Sequence, residues 1–242
     1  MIGVFDSGVG GLSALRVLRA AAPQADYLYF ADQANLPYGN KTEAALLSLS
    51  RAAVHRLTEG GARVVLAACG TVGSLVLPTL TKTCTVPLFG IIDPLAEACA
   101  RSFQKRGGEI LVLGTRATVE SGVLAAKIRR LAPHAPLLSL SCPEFVTLAE
   151  ALPCLSRQEV YRRVSLTLAP FHGRRIGTVA LGCTHFSHLF HEIRHLFPRA
   201  DIIDGAAEGA YAMLRALPPE ATRGGGCVHL TTSGDTPLSY PF

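Results

Sequence analysis

Short aliphatic runs alternate with stretches of helical spacing along the whole chain. Ile2–Phe5, Tyr27–Phe30, Val64–Ala68 and Leu88–Ile92 are compact apolar runs bounded by turn residues. Between them, Leu12–Ala21 and Thr42–Glu59 carry apolar residues at helical intervals. The second half repeats the order, with strands expected at Ile110–Leu113, Pro136–Leu140, Thr178–Leu181 and Ile202–Ile203. Its expected helices are Val119–Leu131, Glu159–Phe171 and Phe186–Leu196. Strands that are apolar on both faces and connected through helices predict βαβ units and parallel sheets. The segment Thr222–Phe242, rich in Gly, Thr, Ser and Pro, reads as loosely structured, with one strand at Val228–Thr231.

The two halves match in detail. The third strand of each runs into a Cys followed by a Thr: Cys69-Gly70-Thr71 after the first, Gly182-Cys183-Thr184 after the second. Both first strands end in hydroxyl-bearing turns, Asp6-Ser7 and Gly114-Thr115. The fold class is α/β: two similar lobes, each a mostly parallel sheet flanked by helices. Residues 1–93 with 205–242 form the first lobe and 94–204 the second. Parallel sheets bind ligands at the carboxyl ends of their strands. Two such edges facing each other make an active-site cleft with a Cys on each wall.

Composition narrows the class. The 242 residues are 49% hydrophobic and 17% charged, which excludes a disordered chain. A net charge of +5, spread without a basic run, gives no nucleic-acid footprint. The first residues, Met1-Ile2-Gly3-Val4-Phe5-Asp6, lack a basic leader, so a cytoplasmic protein is expected. The uncharged stretch Val64–Thr81 is broken by Gly70, Gly73 and Pro78, which suits a strand, a glycine turn and a helix start better than a membrane span. The seven Cys contain no C-x-x-C pair, so a disulfide framework is not expected.

Several segments carry candidate chemistry. Asp6-Ser7-Gly8-Val9-Gly10-Gly11 joins a strand to a helix, where backbone N–H groups attract anions. Its glycine spacing departs from G-x-G-x-x-G, and Asp6 would repel a pyrophosphate, so a dinucleotide is disfavoured. A small zwitterion fits better, with Asp6 toward an ammonium and Ser7 toward a carboxylate; a simple glycine turn capped by Asp6 explains the same residues. Pro37-Tyr38-Gly39-Asn40 reads as a surface turn or as a turn offering Tyr38 and Asn40 to the cleft. Cys69 and Cys183 each stand before a helix start, which lowers a thiol pKa, and His185 follows Cys183 closely. Thr115 and Thr118 cap a helix or hold a carboxylate. Glu150, beside an apolar wall, is expected to have a raised pKa and to assist His185. His191-Glu192-Ile193-Arg194-His195 matches a zinc-protease pattern. Yet Phe186, Leu189, Phe190, Ile193, Leu196 and Phe197 form the apolar stripe, which leaves His188, His191, Glu192 and His195 on a solvated face with no metal.

Together these segments resemble the glutamate racemase family. The matching residues are Ile2–Ser13, Tyr29–Asp32, Pro37–Lys41, Ala68–Thr71, Thr115–Val119, Cys142-Pro143 and Leu181–His185. The likeness runs from residue 2 to about 205 and weakly into Thr231–Asp235. It implies cofactor-independent interconversion of L- and D-glutamate, supplying peptidoglycan synthesis, by a thiolate that removes the α-proton and a thiol that returns one to the other face. Carried over, Cys69 and Cys183 are the acid/base pair, Asp6 supports Cys69, and His185 with Glu150 supports Cys183. Ser7, Pro37, Tyr38, Gly39, Gly70, Thr71, Thr115, Thr118 and Thr184 would hold the amino acid, and a homodimer is possible in such a family. The family usually has Asn where this chain has Gly70, and usually adds a helix after the segment matching Thr231–Asp235. Loss of the Asn amide predicts binding weaker by about 1–3 kcal/mol. It leaves open a racemase for aspartate or a related amino acid, or a non-catalytic amino-acid-binding homologue.

Overall fold

Parallel pairing governs both sheets of the computed structural model, which describes residues 1–234. The chain begins with β1 (Ile2–Asp6), α1 (Leu12–Ala21), β2 (Tyr27–Ala31), α2 (Glu43–Glu59) and β3 (Val64–Ala67). Two short helices, α3 (Gly70–Leu75) and α4 (Leu77–Thr83), lead to β4 (Leu88–Gly90) and α5 (Ile92–Arg106). The second run is β5 (Glu109–Gly114), α6 (Arg116–Glu120), α7 (Val123–Leu131), β6 (Leu137–Ser141), α8 (Pro143–Glu150), α9 (Arg157–Leu168), β7 (Ile176–Leu181), α10 (Phe190–Leu196) and β8 (Asp201–Asp204). It ends with α11 (Gly205–Ala216) and β9 (Val228–Thr232).

The first sheet has the order β4-β3-β1-β2-β9 and the second β6-β5-β7-β8. All adjacent strands are parallel, so every carboxyl end of a sheet lies on one edge. β9 pairs in register with β2 from Tyr27↔Val228 to Ala31↔Thr232, completing the first sheet from the far end of the sequence. One buried cluster covers a face of the first sheet, α1, α5 and α11, and continues into Ile110, Val112 and Ala180 of the second. α5 and α11 therefore weld the sheets through a shared apolar core. Burial of this kind stabilises by about 25 cal/mol per Å² of apolar surface.

Several expectations need correction. The strand expected over Leu88–Ile92 stops at Gly90, because Ile92 already opens α5, with Asp93-Pro94 in its first turn. α5, α8 and α11 are helices that hydrophobic spacing alone did not bring out. The helix expected over Val119–Leu131 is two helices, parted at Gly122, whose φ of 66° breaks the α-helical path. Thr184–Leu189 is a 3₁₀ turn, and α-helix begins only at Phe190. The strand expected at Val228–Thr231 is present, extended by one residue. The rest of the loose-tail expectation, and Asp235 of the weak family match, lie outside the described residues. Among the described residues, no helix is long and apolar enough to cross a membrane.

Candidate active site

β1 delivers Asp6 to the sheet edge, and Ala68 N–H donates to the Phe5 carbonyl at 2.9 Å, which sets Cys69 beside it. In the second sheet Gly182 N–H donates to the Leu113 carbonyl at 2.8 Å, so Cys183 and Thr115 leave the same edge side by side. The two edges enclose a cavity of about 260 Å³. Ser7, Pro37, Tyr38, Gly39, Cys69, Thr71, Thr115, Cys183, Thr184 and His185 line it. Both thiols thus open onto one space. Asp6, Gly70, Thr118 and Glu150 do not reach the cavity surface and stand behind these residues.

The wall also contains Leu36, Asn40, Arg116, Glu144, Val146 and Thr147. Glu144–Thr147 belong to α8, which follows the carboxyl end of β6. The rule that ligands gather at such ends applied to β6 as well, and Cys142-Pro143 marked the place in the sequence.

Behind Cys69, Asp6 Oδ1 accepts from Gly8 N–H at 3.0 Å, and Oδ2 accepts from the Thr184 hydroxyl at 2.9 Å. Burial raises the Asp6 pKa against the opposing pull of His185. Burial first, and the Asp6 charge second, push the Cys69 thiol well up. This overturns the expected lowering at Cys69. α3 has only six residues, too little dipole to offset full burial next to a carboxylate. Asp6 and Cys69 therefore stand together where burial disfavours the charged form of each.

Behind Cys183, the His185 Nδ1 lies 3.9 Å from the thiol sulfur and Nε2 lies 2.6 Å from Glu150 Oε1. Burial disfavours the charged ring, but hydrogen bonds with Cys183 and Glu150 and the charges of Cys183 and Asp6 outweigh it, raising His185 to about 10. Glu150 also accepts from Val9 N–H at 3.1 Å. Burial alone would raise its pKa; its bonds and proximity to His185, with the Val9 bond, leave it lowered instead. The expectation of a raised Glu150 is corrected on that ground; the structure does bring its carboxylate to the His185 ring.

The glycine turn differs from an open anion cradle, because Gly8 and Val9 N–H already serve Asp6 and Glu150. A Cβ on Gly8 would sit 2.3 Å from Glu150 Oε1, and one on Gly10 would sit 2.5 Å from Thr184 Oγ1. These glycines admit the second lobe. Tyr38 lines the cavity, and its hydroxyl donates to Asp32 Oδ2 at 2.6 Å. The hydroxyls of Thr71, Thr115 and Thr118 form a chain across the lobes, at 3.0 and 2.9 Å.

His191 and His195 are exposed, as their face of α10 demands. His188 departs from that face: it is half-buried, and its Nε2 donates to the Val9 carbonyl at 3.2 Å. No group of three His, Cys, Asp or Glu able to hold a metal ion occurs among the described residues.

The Asp/Glu/Hydantoin racemase family model matches residues 13–213. A glutamate racemase from Gloeobacter violaceus is 37% identical over 250 residues, covering all of this chain and 92% of that protein. The chain belongs to the glutamate racemase family. The crystal structure of the Bacillus anthracis glutamate racemase isoform RacE1 superposes with a TM-score of 0.85 at 28% identity, over 97% of this chain and 89% of that one. The Escherichia coli glutamate racemase, solved with L-glutamate and the activator UDP-MurNAc-ala, gives 0.81 at 30% identity, over 98% and 90%. Family membership makes the chain an amino-acid racemase, an isomerase, and the two-lobed architecture agrees with these relatives.

Proposed function

We propose that this racemase interconverts L- and D-glutamate without a cofactor, with Cys69 and Cys183 as its two acid/base residues, and so supplies D-glutamate for peptidoglycan. The observation that carries this is the shared cavity: two thiols, one from each sheet edge, open onto one space sized for a small molecule. In this reading the lobes flanking it are residues 1–93 with the described part of 205–242, and 94–204.

Inversion through a planar carbanion needs a base on one face and an acid on the other. Cys69, pushed up by burial and Asp6, is suited to be the acid. His185, raised to about 10, is suited to hold the proton that leaves Cys183. The Cys183 thiolate takes the α-proton, the carbanion forms, and the Cys69 thiol protonates the opposite face. Cys183 is then the thiol and Cys69 the thiolate, which is the starting state for the reverse reaction. Ser7, Thr71 and Thr115 offer hydroxyls to the substrate carboxylates, while the Thr184 hydroxyl is given to Asp6 at the cavity wall.

The test is α-proton exchange in deuterated water together with racemisation followed by circular dichroism. L-glutamate should invert, and Cys69→Ser and Cys183→Ser should each lower inversion by about 10²–10⁴. Full activity in Cys69→Ser would remove that thiol from the reaction. Faster turnover of aspartate would assign the other substrate, and binding of glutamate without exchange would leave a binding homologue.

A further inference from the structure

Gly70 follows Cys69, Gly182 precedes Cys183, and these two residues touch. A Cβ built on Gly70 would lie 1.9 Å from the Gly182 carbonyl oxygen and 3.6 Å from the Cys183 Cα. Gly70 is not among the positive-φ glycines, so space and not backbone conformation demands glycine there. The obstacle is a backbone carbonyl, which cannot rotate aside as a side chain would. Both partners are held by their own elements. Gly182 N–H donates to the Leu113 carbonyl at 2.8 Å, and a Cβ on Gly182 would meet that carbonyl at 3.0 Å and Leu124 at 3.2 Å. α3 is seated on α5, where a Cβ on Gly73 would meet Ile92 at 2.8 Å.

We infer that Gly70 is a positioning residue: its bare contact with the Gly182 carbonyl is the stop that sets the separation of Cys69 and Cys183. The inference rests on the reading of those thiols as an acid/base pair. It replaces the view of Gly70 as a lost substrate contact, because an amide-bearing side chain has no space at this point. Any side chain at 70 wedges the two thiol-bearing turns apart. A misplacement of about 1 Å between reacting groups can cost on the order of 100-fold in rate.

The test uses the full chain with Gly70→Ala and Gly70→Asn. Inversion of L-glutamate and α-deuterium incorporation into the unreacted L-enantiomer are measured together. A widened gap lets one thiol remove and return the proton on the same face, while delivery from the far thiol fails. In both variants inversion should fall by about 100-fold, KM should change only a few-fold, and the exchange-to-inversion ratio should rise by at least about tenfold. A Gly70→Asn variant as active as the parent overturns the inference, and so does a parallel fall of exchange and inversion. Alkylation by iodoacetamide in the absence of substrate gives a second readout. Cys69 and Cys183 are both buried in the parent, so each is compared with itself: in Gly70→Ala both should react at least about tenfold faster than in the parent, while the exposed Cys154 keeps its rate; unchanged rates at both thiols overturn the inference. If the parent chain neither exchanges nor inverts glutamate, the function proposed above fails, and the alkylation rates still decide whether the stop exists.

Discussion

Glu150 shows how much one carboxylate can set. A single oxygen accepts both from Val9 N–H in the first lobe and from His185 in the second. Hydrogen bonds to charged groups contribute roughly 1.5–3 kcal/mol. Glu150→Gln keeps the size and removes the charge. Its expected cost is about 10- to 100-fold in kcat, with the His185 titration midpoint falling from about 10 toward the ordinary histidine range. NMR titration of the His185 ring checks this, and an unmoved midpoint would deny that Glu150 is what holds the proton there. Asp6 acts on Cys69 from the other wall. Asp6→Asn removes the charge that helps push the thiol up, so Cys69 should alkylate at lower pH, which rates measured against pH will show.

Elements position these residues through contacts that need glycine for two different reasons. Gly10, with its Cβ direction blocked by Thr184 and by the His185 ring and backbone, is where the turn after β1 meets the second lobe. Gly122 has open space around it but a φ of 66°. Gly10→Ala should therefore lower racemisation at least about tenfold through overpacking at the site. Gly122→Ala should cost about 1–2 kcal/mol of stability with little change in rate. Melting curves and initial rates on both variants separate the two effects. The same distinction explains what the sequence made legible. Strand cores, the parallel pairing and the two Cys-Thr edges follow from apolar runs and their boundaries. α5, α8 and α11 were missed because Pro94, Pro143 and Gly205 resemble breakers, although the first turn of a helix tolerates them. The Gly70–Gly182 contact was unreadable, because it joins residues far apart in the chain and has no side chain to announce it. His188 leaves the solvated face because its segment is a 3₁₀ turn and not the α-helix that the spacing predicts, and there it points to Val9.

At the scale of the whole molecule, a few polar contacts from the second lobe grip one turn of the first, and two of their histidines titrate in opposite directions. His188 is held down to about 4, mainly by burial, with the charges of His185 and Arg16 adding to this and the Val9 bond and Glu150 opposing it. Between an unfolded value near 6.5 and about 4, the unfolded chain binds a proton that the folded chain refuses. Stability from this group therefore falls as pH falls through that window. His185 is raised to about 10, so its contribution is complete below about 6.5 and is lost as pH rises toward 10. The two together predict greatest stability near pH 6.5 and a fall on both sides. Asp6, raised by burial, has the opposite sign in acid, because the folded chain takes up its proton first. The difference between parent and variant isolates the histidine. His188→Gln keeps an N–H donor for the Val9 carbonyl and removes the titration. Its unfolding free energy from urea titration should decline less between pH 7 and pH 4.5 than that of the parent, by about 2 kcal/mol after allowance for partial exposure. His185→Gln should flatten the alkaline limb instead. Acid limbs that coincide in the parent and in His188→Gln would mean that this ring accepts its proton freely in the folded state, and that its bond to Val9 does not depend on its staying neutral.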